Sequence, residues 1–181
     1  MIITVAGHAG SGKSTVAKLL AARLGFKHYS TGDFMRQMAD ERGISIKDLN
    51  IIAEKDRAID KLLDDRQKKL GETEDNFVLD SRLGGLFIPK AIKVFLDCDI
   101  DTRIKRTMLD KRTSEKHPSV ESAKKFALER ESSEKKRFRE LYNFDPYDPE
   151  NYDIAIDTTS IPAEEVADKV IAVLGKEQLV E

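Results

Sequence analysis

The stretch Gly7-His8-Ala9-Gly10-Ser11-Gly12-Lys13-Ser14 decides the fold predicted for this chain. It satisfies the pattern G-x-x-x-x-G-K-[ST] and directly follows an apolar run at residues 2–6. Glycines at these positions let backbone N–H groups point inward, the lysine adds a cation over the β- and γ-phosphates, and the serine hydroxyl can ligate Mg²⁺. The pattern therefore predicts that a nucleoside triphosphate is bound by Gly7, His8, Ala9, Gly10, Ser11, Gly12, Lys13, Ser14 and Thr15.

The residues after this loop have the spacing of an amphipathic helix. The helix is expected to begin at Gly12 or Lys13 and to end at Gly25. Its apolar face consists of Val16, Leu19, Leu20 and Leu24. Strand, loop and helix thus follow in the order that a phosphate-binding loop requires, whereas the alternative is a glycine-rich turn that binds nothing.

Length and composition limit the class of protein. The 181 residues suit one domain, 40% of them are hydrophobic and 35% are charged, and no apolar run approaches the roughly 18 residues of a membrane span. A net charge of −2 argues against a dedicated nucleic-acid binder. No basic segment precedes an apolar one at the N-terminus. We expect a cytoplasmic monomer with neither a membrane nor a nucleic acid as partner.

The residues most often used for redox or metal chemistry are few. Cys98 is the single cysteine and lies in an apolar run, which predicts a buried thiol. His8, His28 and His117 are scattered, without the close spacing of a metal site. The only metal expected is Mg²⁺ that arrives with the nucleotide.

Five apolar runs rich in β-branched residues alternate with helical patterns. They lie at residues 2–6, 77–79, 92–98 and 154–156, with a weaker one at 27–30. Near-continuous apolar strands separated by helices are typical of a parallel sheet that is covered on both faces. The sequence predicts an α/β fold with a five-stranded parallel sheet flanked by helices.

Two segments exceed what simple crossovers need. Residues 34–71 have the spacing of two or three helices, and such an excess predicts a small helical subdomain over the carboxyl edge of the sheet, where ligands bind. Helical patterns at 101–111 and 119–141 surround the polar stretch 113–118, which suits the tip of a flap. The connection at 142–152 contains two prolines, and a last helix is expected to begin near residues 160–162.

We divide the single domain, 1–181, into a core at 1–33, 72–106 and 131–181, a helical subdomain at 34–71 and a lid at 107–130.

The stretch Tyr29-Ser30-Thr31-Gly32-Asp33-Phe34-Met35-Arg36 resembles the segment that opens the acceptor site in nucleoside monophosphate kinases. Gly32 permits a tight strand-to-helix turn, and the Arg36 guanidinium offers a bidentate fork that suits a phosphate. The resemblance implies that Thr31, Asp33 and Arg36 bind the acceptor nucleotide. The alternative is that Thr31 or Asp33 is only a helix N-cap and Arg36 a surface charge.

The end of the third strand reads Phe77-Val78-Leu79-Asp80-Ser81-Arg82-Leu83-Gly84-Gly85. Asp80 has the position of a Walker-B aspartate, which holds Mg²⁺ through a water molecule. The Asp-Gly-Phe-Pro-Arg-like stretch of adenylate kinases is missing, and the segment instead resembles cytidylate kinases of the compact archaeal type. That resemblance implies that Arg82 faces a pyrimidine base, whereas a structural ion pair at the strand end is the alternative.

The run of residues 130–138 resembles the cytidylate-kinase segment R-E-x-S-E-x-x-R-[YF]. Arg130, Glu134 and Arg137 recur on one helical face. The resemblance implies that Glu134 and Arg137 help to bind the acceptor. The flap arginines, chiefly Arg106, Arg112 and Arg130, are expected to act with Lys13 and Arg36 on the transferring phosphoryl group.

The alternative for the arginines of these later helices is that they lie on a solvent-exposed helix face and form only i,i+4 ion pairs. The abundant glutamate and lysine favour this interpretation most for Arg103 and Arg139.

The resemblance covers nearly the whole chain. It implies a P-loop NTPase fold of the nucleoside monophosphate kinase type and transfer of the γ-phosphoryl group of ATP to CMP, with deoxy-CMP as a second acceptor and Mg²⁺ held by Ser14 and Asp80. Alternatives are a related kinase for AMP, UMP or a non-nucleotide alcohol, and a nucleotide-dependent switch. We find neither an Asn-Lys-x-Asp guanine reader nor an Asp-Glu pair after the third strand.

Overall fold

The computed structural model describes residues 1–109 and 117–177. Its strands are β1 (Ile2–Gly7), β2 (Lys27–Ser30), β3 (Phe77–Asp80), β4 (Ile92–Asp97) and β5 (Ile154–Asp157). Its α-helices are α1 (Lys13–Leu24), α2 (Thr31–Glu41), α3 (Ile46–Lys55), α4 (Arg57–Thr73), α5 (Gly84–Phe87), α6 (Ile100–Leu109), α7 (Val120–Tyr142) and α8 (Ala163–Glu177). A single 3₁₀ turn is assigned in these ranges, at Pro149–Asn151.

All five strands run parallel in the order β2-β3-β1-β4-β5. Every residue of β1 is buried because this apolar, β-branched strand lies in the middle of the sheet, between β3 and β4. Central strands with both faces covered need such continuous apolar sequence. The predicted five-stranded parallel sheet flanked by helices is confirmed.

Each face of the sheet has its own apolar core. On one face, strand residues such as Val5 and Leu96 pack with Leu20 of α1 and Val170 of α8. On the other face, Phe77 and its neighbours pack with residues of α2, α4 and the α5 region. A separate small core, which includes Met38, Leu49 and Ile59, holds α2, α3 and α4 together.

The segment between β2 and β3 forms three helices, which confirms the prediction of two or three. α2 begins at Thr31 rather than near residue 34, and its N-cap is Ser30, whose side chain accepts from the Asp33 N–H. The alternative that Thr31 or Asp33 is the cap is therefore wrong. The four-residue α5 was not expected from the sequence.

The helices near the flap match the predicted ones closely. α6 corresponds to the pattern at 101–111 as far as residue 109, and α7 corresponds to the pattern at 119–141. Residues 110–116, which include most of the expected flap tip at 113–118, lie outside the described residues. Ser119 caps α7 with a reciprocal bond to Ser122. α7 continues unbroken through residues 130 and 131, where the predicted lid gives way to the predicted core. Within the described ranges, no helix combines the length and apolar character needed to cross a membrane.

Candidate active site

The carboxyl ends of the strands meet at one edge of the sheet, and many of the predicted site residues stand there. The strand register sets Asp80 of β3 beside Val5 of β1 and beside Ser30 of β2. Gly7, the last residue of β1, pairs with Leu96 of β4. Ligands of open parallel sheets bind outside this edge, so it is where a substrate site is expected.

Two glycines of the phosphate loop (residues 7–14) stand where no side chain fits. A Cβ on Gly7, whose φ is +139°, would lie 2.2 Å from the Leu96 carbonyl oxygen. A Cβ on Gly10, whose φ is +82°, would lie 2.5 Å from the Arg103 carbonyl oxygen. The loop is therefore pressed against the backbones of β4 and α6, and only glycine allows this approach.

The first turn of α1 follows the loop directly. Gly12 precedes α1 in the left-handed conformation, and in the described part of the chain no side chain caps this end. The N–H groups of an uncapped first turn attract anions. Lys13 Nζ donates to the His8 carbonyl oxygen at 2.9 Å. Burial, and next the Arg82 cation, lowers the pKa of Lys13 to about 8, so the loop holds a cation that lacks full compensation.

A hydroxyl and a carboxylate lie next to this lysine. Ser14 Oγ donates to Asp80 Oδ2 at 2.5 Å, and Asp80 is only 9% exposed. Oxygen donors of these two kinds suit Mg²⁺, which keeps several waters and is completed by nucleotide phosphates. In residues 1–109 and 117–177 no cluster of three or more His, Cys, Asp or Glu is arranged to hold a metal ion.

Glu134 of α7 is the centre of a cluster that faces the loop. Its Oε2 lies 3.1 Å from Arg82 Nε and accepts from the Tyr147 hydroxyl at 2.5 Å, and its Oε1 accepts from Arg130 Nε at 3.0 Å. Although burial opposes ionisation, the Arg82 guanidinium and the Tyr147 hydroxyl hold the pKa of Glu134 below its usual range. Arg82 and Glu134 are also among the charges that act on Lys13.

A second network anchors the phosphate loop to α6 and α7. His8 Nδ1 lies 3.1 Å from a Glu131 carboxylate oxygen, and that carboxylate also pairs with Arg103. Arg103 is 4% exposed, so the solvated interpretation of this arginine is wrong. The His8 ring stacks on Tyr147, with centroids 4.6 Å apart and planes 9° apart. Sequence spacing gave no signal for these contacts because every partner comes from a different element.

The start of α2 presents the predicted acceptor residues Thr31, Asp33 and Arg36. Asp33 accepts from the Ser30 hydroxyl at 2.6 Å and pairs with Arg36, one turn further along. The Ser30 hydrogen bond, and then the Arg36 charge, keeps the pKa of Asp33 below its usual value. The Arg36 side chain is 60% exposed, which leaves its guanidinium accessible to a phosphate.

Arg137 points from α7 toward α4. Its Nη1 lies 3.6 Å from Asp60 Oδ2, and its guanidinium stacks over the Phe138 ring. One turn of α4 further along, Asp64 is buried and accepts from the Tyr142 hydroxyl at 2.6 Å. Burial raises the pKa of Asp64. These contacts join α7 to α4 of the helical subdomain.

Arg106 contacts the residue that follows β5. Its Nη2 donates to the Thr158 carbonyl oxygen at 2.7 Å and its Nη1 to Thr158 Oγ1 at 3.2 Å. The buried Thr158 hydroxyl in turn donates to the Ser11 carbonyl oxygen at 2.9 Å. Arg106 thus supports the phosphate loop through Thr158, and its role at the transferring phosphoryl group stays a prediction. Arg112 lies outside the described residues.

A cavity of about 1190 Å³ opens above the phosphate loop. Its walls come from residues 9–16, from 106–109 at the end of α6, from the first half of α7 and from 161–163 ahead of α8. Arg82, Arg130 and Tyr147 also line it. The cavity therefore brings together Lys13, Ser14, Arg82 and Arg130. Asp80 is bonded to Ser14, and Glu134 contacts Arg82 and Arg130.

A parallel sheet of this order, whose central strand runs through a glycine-rich loop into α1, is the fold that P-loop kinases have. Shikimate kinase from Aquifex aeolicus superposes with a TM-score of 0.65 over 99% of each chain, at 22% identity. An uncharacterized protein from Eubacterium ventriosum superposes with a TM-score of 0.73 over 97% of this chain and 98% of that chain, at 21% identity. Similarity at such low identity shows the fold alone.

The sequence narrows the class to one family. The profile of the cytidylate kinase-like family matches residues 2–160, and the chain belongs to this family. The cytidylate kinase of Natronomonas pharaonis is 41% identical over 163 residues, which are 89% of this chain and 82% of that protein. The cytidylate kinase of Methanobrevibacter smithii is 36% identical over 174 residues, 96% and 98% of the two chains. The resemblance found in the residues is confirmed, and the protein is a nucleoside monophosphate kinase.

Proposed function

We propose that the protein transfers the γ-phosphoryl group of ATP to CMP and releases ADP and CDP, with dCMP as a second acceptor. The single observation that carries the proposal is the ion pair of Arg82 and Glu134, which lies within electrostatic reach of Lys13 in the phosphate loop. A polyphosphate cradle and a donor–acceptor pair able to read a base edge thus share one space. The cytidylate kinases similar to this chain support the choice of base.

On the donor side, the phosphate loop supplies inward N–H groups and Lys13 supplies the cation for the phosphates of ATP. Ser14 and Asp80 would hold Mg²⁺, Asp80 through water. The bound ion supplies charge neutralisation at the phosphate oxygens. The network from His8 through Glu131 to Arg103 keeps the loop in place against α6 and α7.

On the acceptor side, Arg36 binds the phosphate of CMP, with Thr31 and Asp33 in the same turn. Glu134 is ionised and therefore only accepts hydrogen bonds, while Arg82 only donates them. Cytosine offers an exocyclic amino donor where uracil has a carbonyl oxygen, so an ionised carboxylate favours cytosine. Arg137, which contacts α4, completes the contacts to base and sugar.

The lid arginines complete the mechanism. Arg130 is held by Glu134 at the cavity wall, and it approaches the transferring phosphoryl when the lid closes. Arg106 and Arg112 are proposed to act with it. An arginine inserted at this point can raise the rate by about 10³ to 10⁵, because negative charge spreads over the equatorial phosphoryl oxygens. Closure also excludes water, which protects ATP from hydrolysis.

The test is an ADP-release assay across acceptors. With ATP and Mg²⁺, turnover is expected with CMP and dCMP, and turnover without an acceptor should stay at background. Faster turnover with AMP, UMP or shikimate would reassign the acceptor, and acceptor-independent hydrolysis would favour a nucleotide-dependent switch. The variant Arg82→Ala is expected to raise the KM for CMP and to weaken base selectivity; unchanged selectivity would remove the role of Arg82.

The remaining attributes rest on composition and charge. We propose that the protein acts in the cytoplasm on free nucleotides as a monomer, without nucleic acid as partner. The single cysteine and the net charge of −2 support these assignments.

A further inference from the structure

Tyr147 occupies a position that the sequence analysis did not single out. It lies in the connection between α7 and β5, and its hydroxyl donates to Glu134 Oε2 at 2.5 Å. Its ring stacks on the His8 imidazole of the phosphate loop, 4.6 Å away. The Tyr147 side chain therefore contacts both Glu134, which is proposed to read the acceptor base with Arg82, and His8 of the phosphate loop.

We propose that Tyr147 is a positioning residue for phosphoryl transfer, which fixes the Glu134 carboxylate toward the acceptor base and ties its position to that of the phosphate loop. The inference rests on the proposed function, because Glu134 is taken to read the base of the acceptor.

The hydrogen bonds around Glu134 explain why a tyrosine is needed. The carboxylate, 14% exposed, is otherwise approached by two cationic side chains, Arg82 at 3.1 Å and Arg130 at 3.0 Å, and arginine side chains have more torsions than a tyrosine. The Tyr147 hydroxyl is a donor on a rigid ring with only two side-chain torsions. Burial raises the pKa of Tyr147, so the hydroxyl keeps its proton across the physiological range and always donates.

Tyr147 is itself held through its backbone and through its ring. The Tyr147 N–H donates to the Asp145 carboxylate at 3.1 Å, and Asp145, which is buried, pairs with Lys135 of α7 at 2.6 Å. On the opposite side, His8 is oriented by Glu131 at 3.1 Å. A shift of the phosphate loop is therefore transmitted through two stacked rings to the carboxylate that reads the base.

Tyr147→Phe separates the two contacts, because it removes the hydroxyl and keeps the stacked ring. We expect the KM for CMP to rise about tenfold with kcat changed less than about threefold, since a hydrogen bond to a charged group is lost in substrate recognition rather than in the chemical step. Selectivity for CMP over UMP should fall by a similar factor. The KM for ATP should stay unchanged.

Tyr152→Phe is the matched control. Tyr152 lies in the same connection, and its hydroxyl donates at 2.7 Å to a backbone oxygen, that of Pro146. Its removal also costs a tyrosine hydroxyl's hydrogen bond, here to a neutral carbonyl, without touching Glu134, so the KM for CMP and the base selectivity should stay at wild-type values. A loss that is merely structural would affect both variants alike.

A double-mutant cycle keeps the test independent of folding. On a Glu134→Gln background, Tyr147→Phe should change the KM for CMP less than twofold, because the partner it positions has lost its charge. Additive effects, or a wild-type KM and selectivity in Tyr147→Phe, would overturn the inference while leaving the proposed function intact. Wild-type protein without CMP-dependent turnover would contradict the proposed function and the inference together.

Discussion

Replacing Lys13 with methionine should stabilise the fold while it abolishes phosphoryl transfer. The pKa of Lys13 is lowered from 10.5 to about 8, first by burial and then by Arg82. At about 1.4 kcal/mol per pH unit, holding this ammonium charged at neutral pH costs about 3 kcal/mol. The lost hydrogen bond to the His8 carbonyl offsets about 1 kcal/mol of this. We therefore expect Lys13→Met to raise the free energy of unfolding by about 2 kcal/mol, which corresponds to about 4 to 8 °C in Tm.

The assay is urea unfolding in buffer free of phosphate and nucleotide. Lys18→Met is the matched control, because Lys18 is exposed on the same helix and the substitution is the same. The control should differ from wild type by less than about 0.5 kcal/mol. A general gain from added apolar surface would appear in both variants, whereas relief of a partly buried, incompletely compensated charge appears only in Lys13→Met.

The difference in stability between Lys13→Met and the wild type should depend on pH. Below about pH 8, Lys13 is protonated in the folded and the unfolded protein, so the full cost is present. Between about pH 8 and pH 10.5, the folded protein sheds a proton that the unfolded chain keeps, and the wild type gains stability relative to Lys13→Met. A variant no more stable than wild type near pH 7, or a gap that does not narrow above pH 8, would refute the reasoning.

Three further substitutions test the loop, the acceptor end and the metal site. Gly10→Ala should lower the free energy of unfolding by about 2 kcal/mol or more, a larger loss than that of the control Gly12→Ala. Both glycines have positive φ, but only a Cβ on Gly10 would meet a backbone atom, the Arg103 carbonyl oxygen. Equal losses in urea unfolding would argue against the contact with α6. Arg36→Ala should lower kcat/KM for CMP at least about a hundredfold without changing Tm, since the exposed guanidinium contributes to binding and not to packing; near-normal turnover would contradict its assignment. Asp80→Asn should raise the Mg²⁺ concentration for half-maximal activity about tenfold or more, and an unchanged Mg²⁺ titration would remove this acid from the metal site.

Much of the fold could be predicted because its signals are local. Continuous apolar runs identified the strands, and the glycine-rich loop fixed the first crossover. The N-cap of α7 is likewise visible in the sequence, as Ser119 before a helical pattern. The α2 cap was missed by one residue because Ser30, Thr31 and Asp33 all have side chains that cap helices, and only the backbone decides among them.

The parts of the site that were missed depend on contacts between distant segments. Arg103 has the helical spacing of a surface residue, yet α6 packs so that its guanidinium is buried against Glu131. Thr158 and Tyr147 follow no motif, but the fold sets one beneath the phosphate loop and the other beside it. Periodicity reports which residues share a face of one helix and carries no information about the element that this face meets.

The charges of the site are paired within the protein, and this pairing determines which ligands can compete for them. Lys13 donates to one neutral carbonyl, and Arg36 pairs with the single carboxylate of Asp33. A phosphate monoester carries up to two negative charges and three acceptor oxygens, so it outcompetes either partner, whereas a neutral sugar does not. Arg82 differs, because the Glu134 carboxylate raises its pKa against the effect of burial. Breaking that pair would leave a partly buried guanidinium without its carboxylate, so under the proposed function we expect the base to bind with the pair intact. Under the proposed function, selectivity for phosphate therefore arises because Lys13 and Arg36 exchange partners, and selectivity for the base arises because Arg82 and Glu134 stay paired.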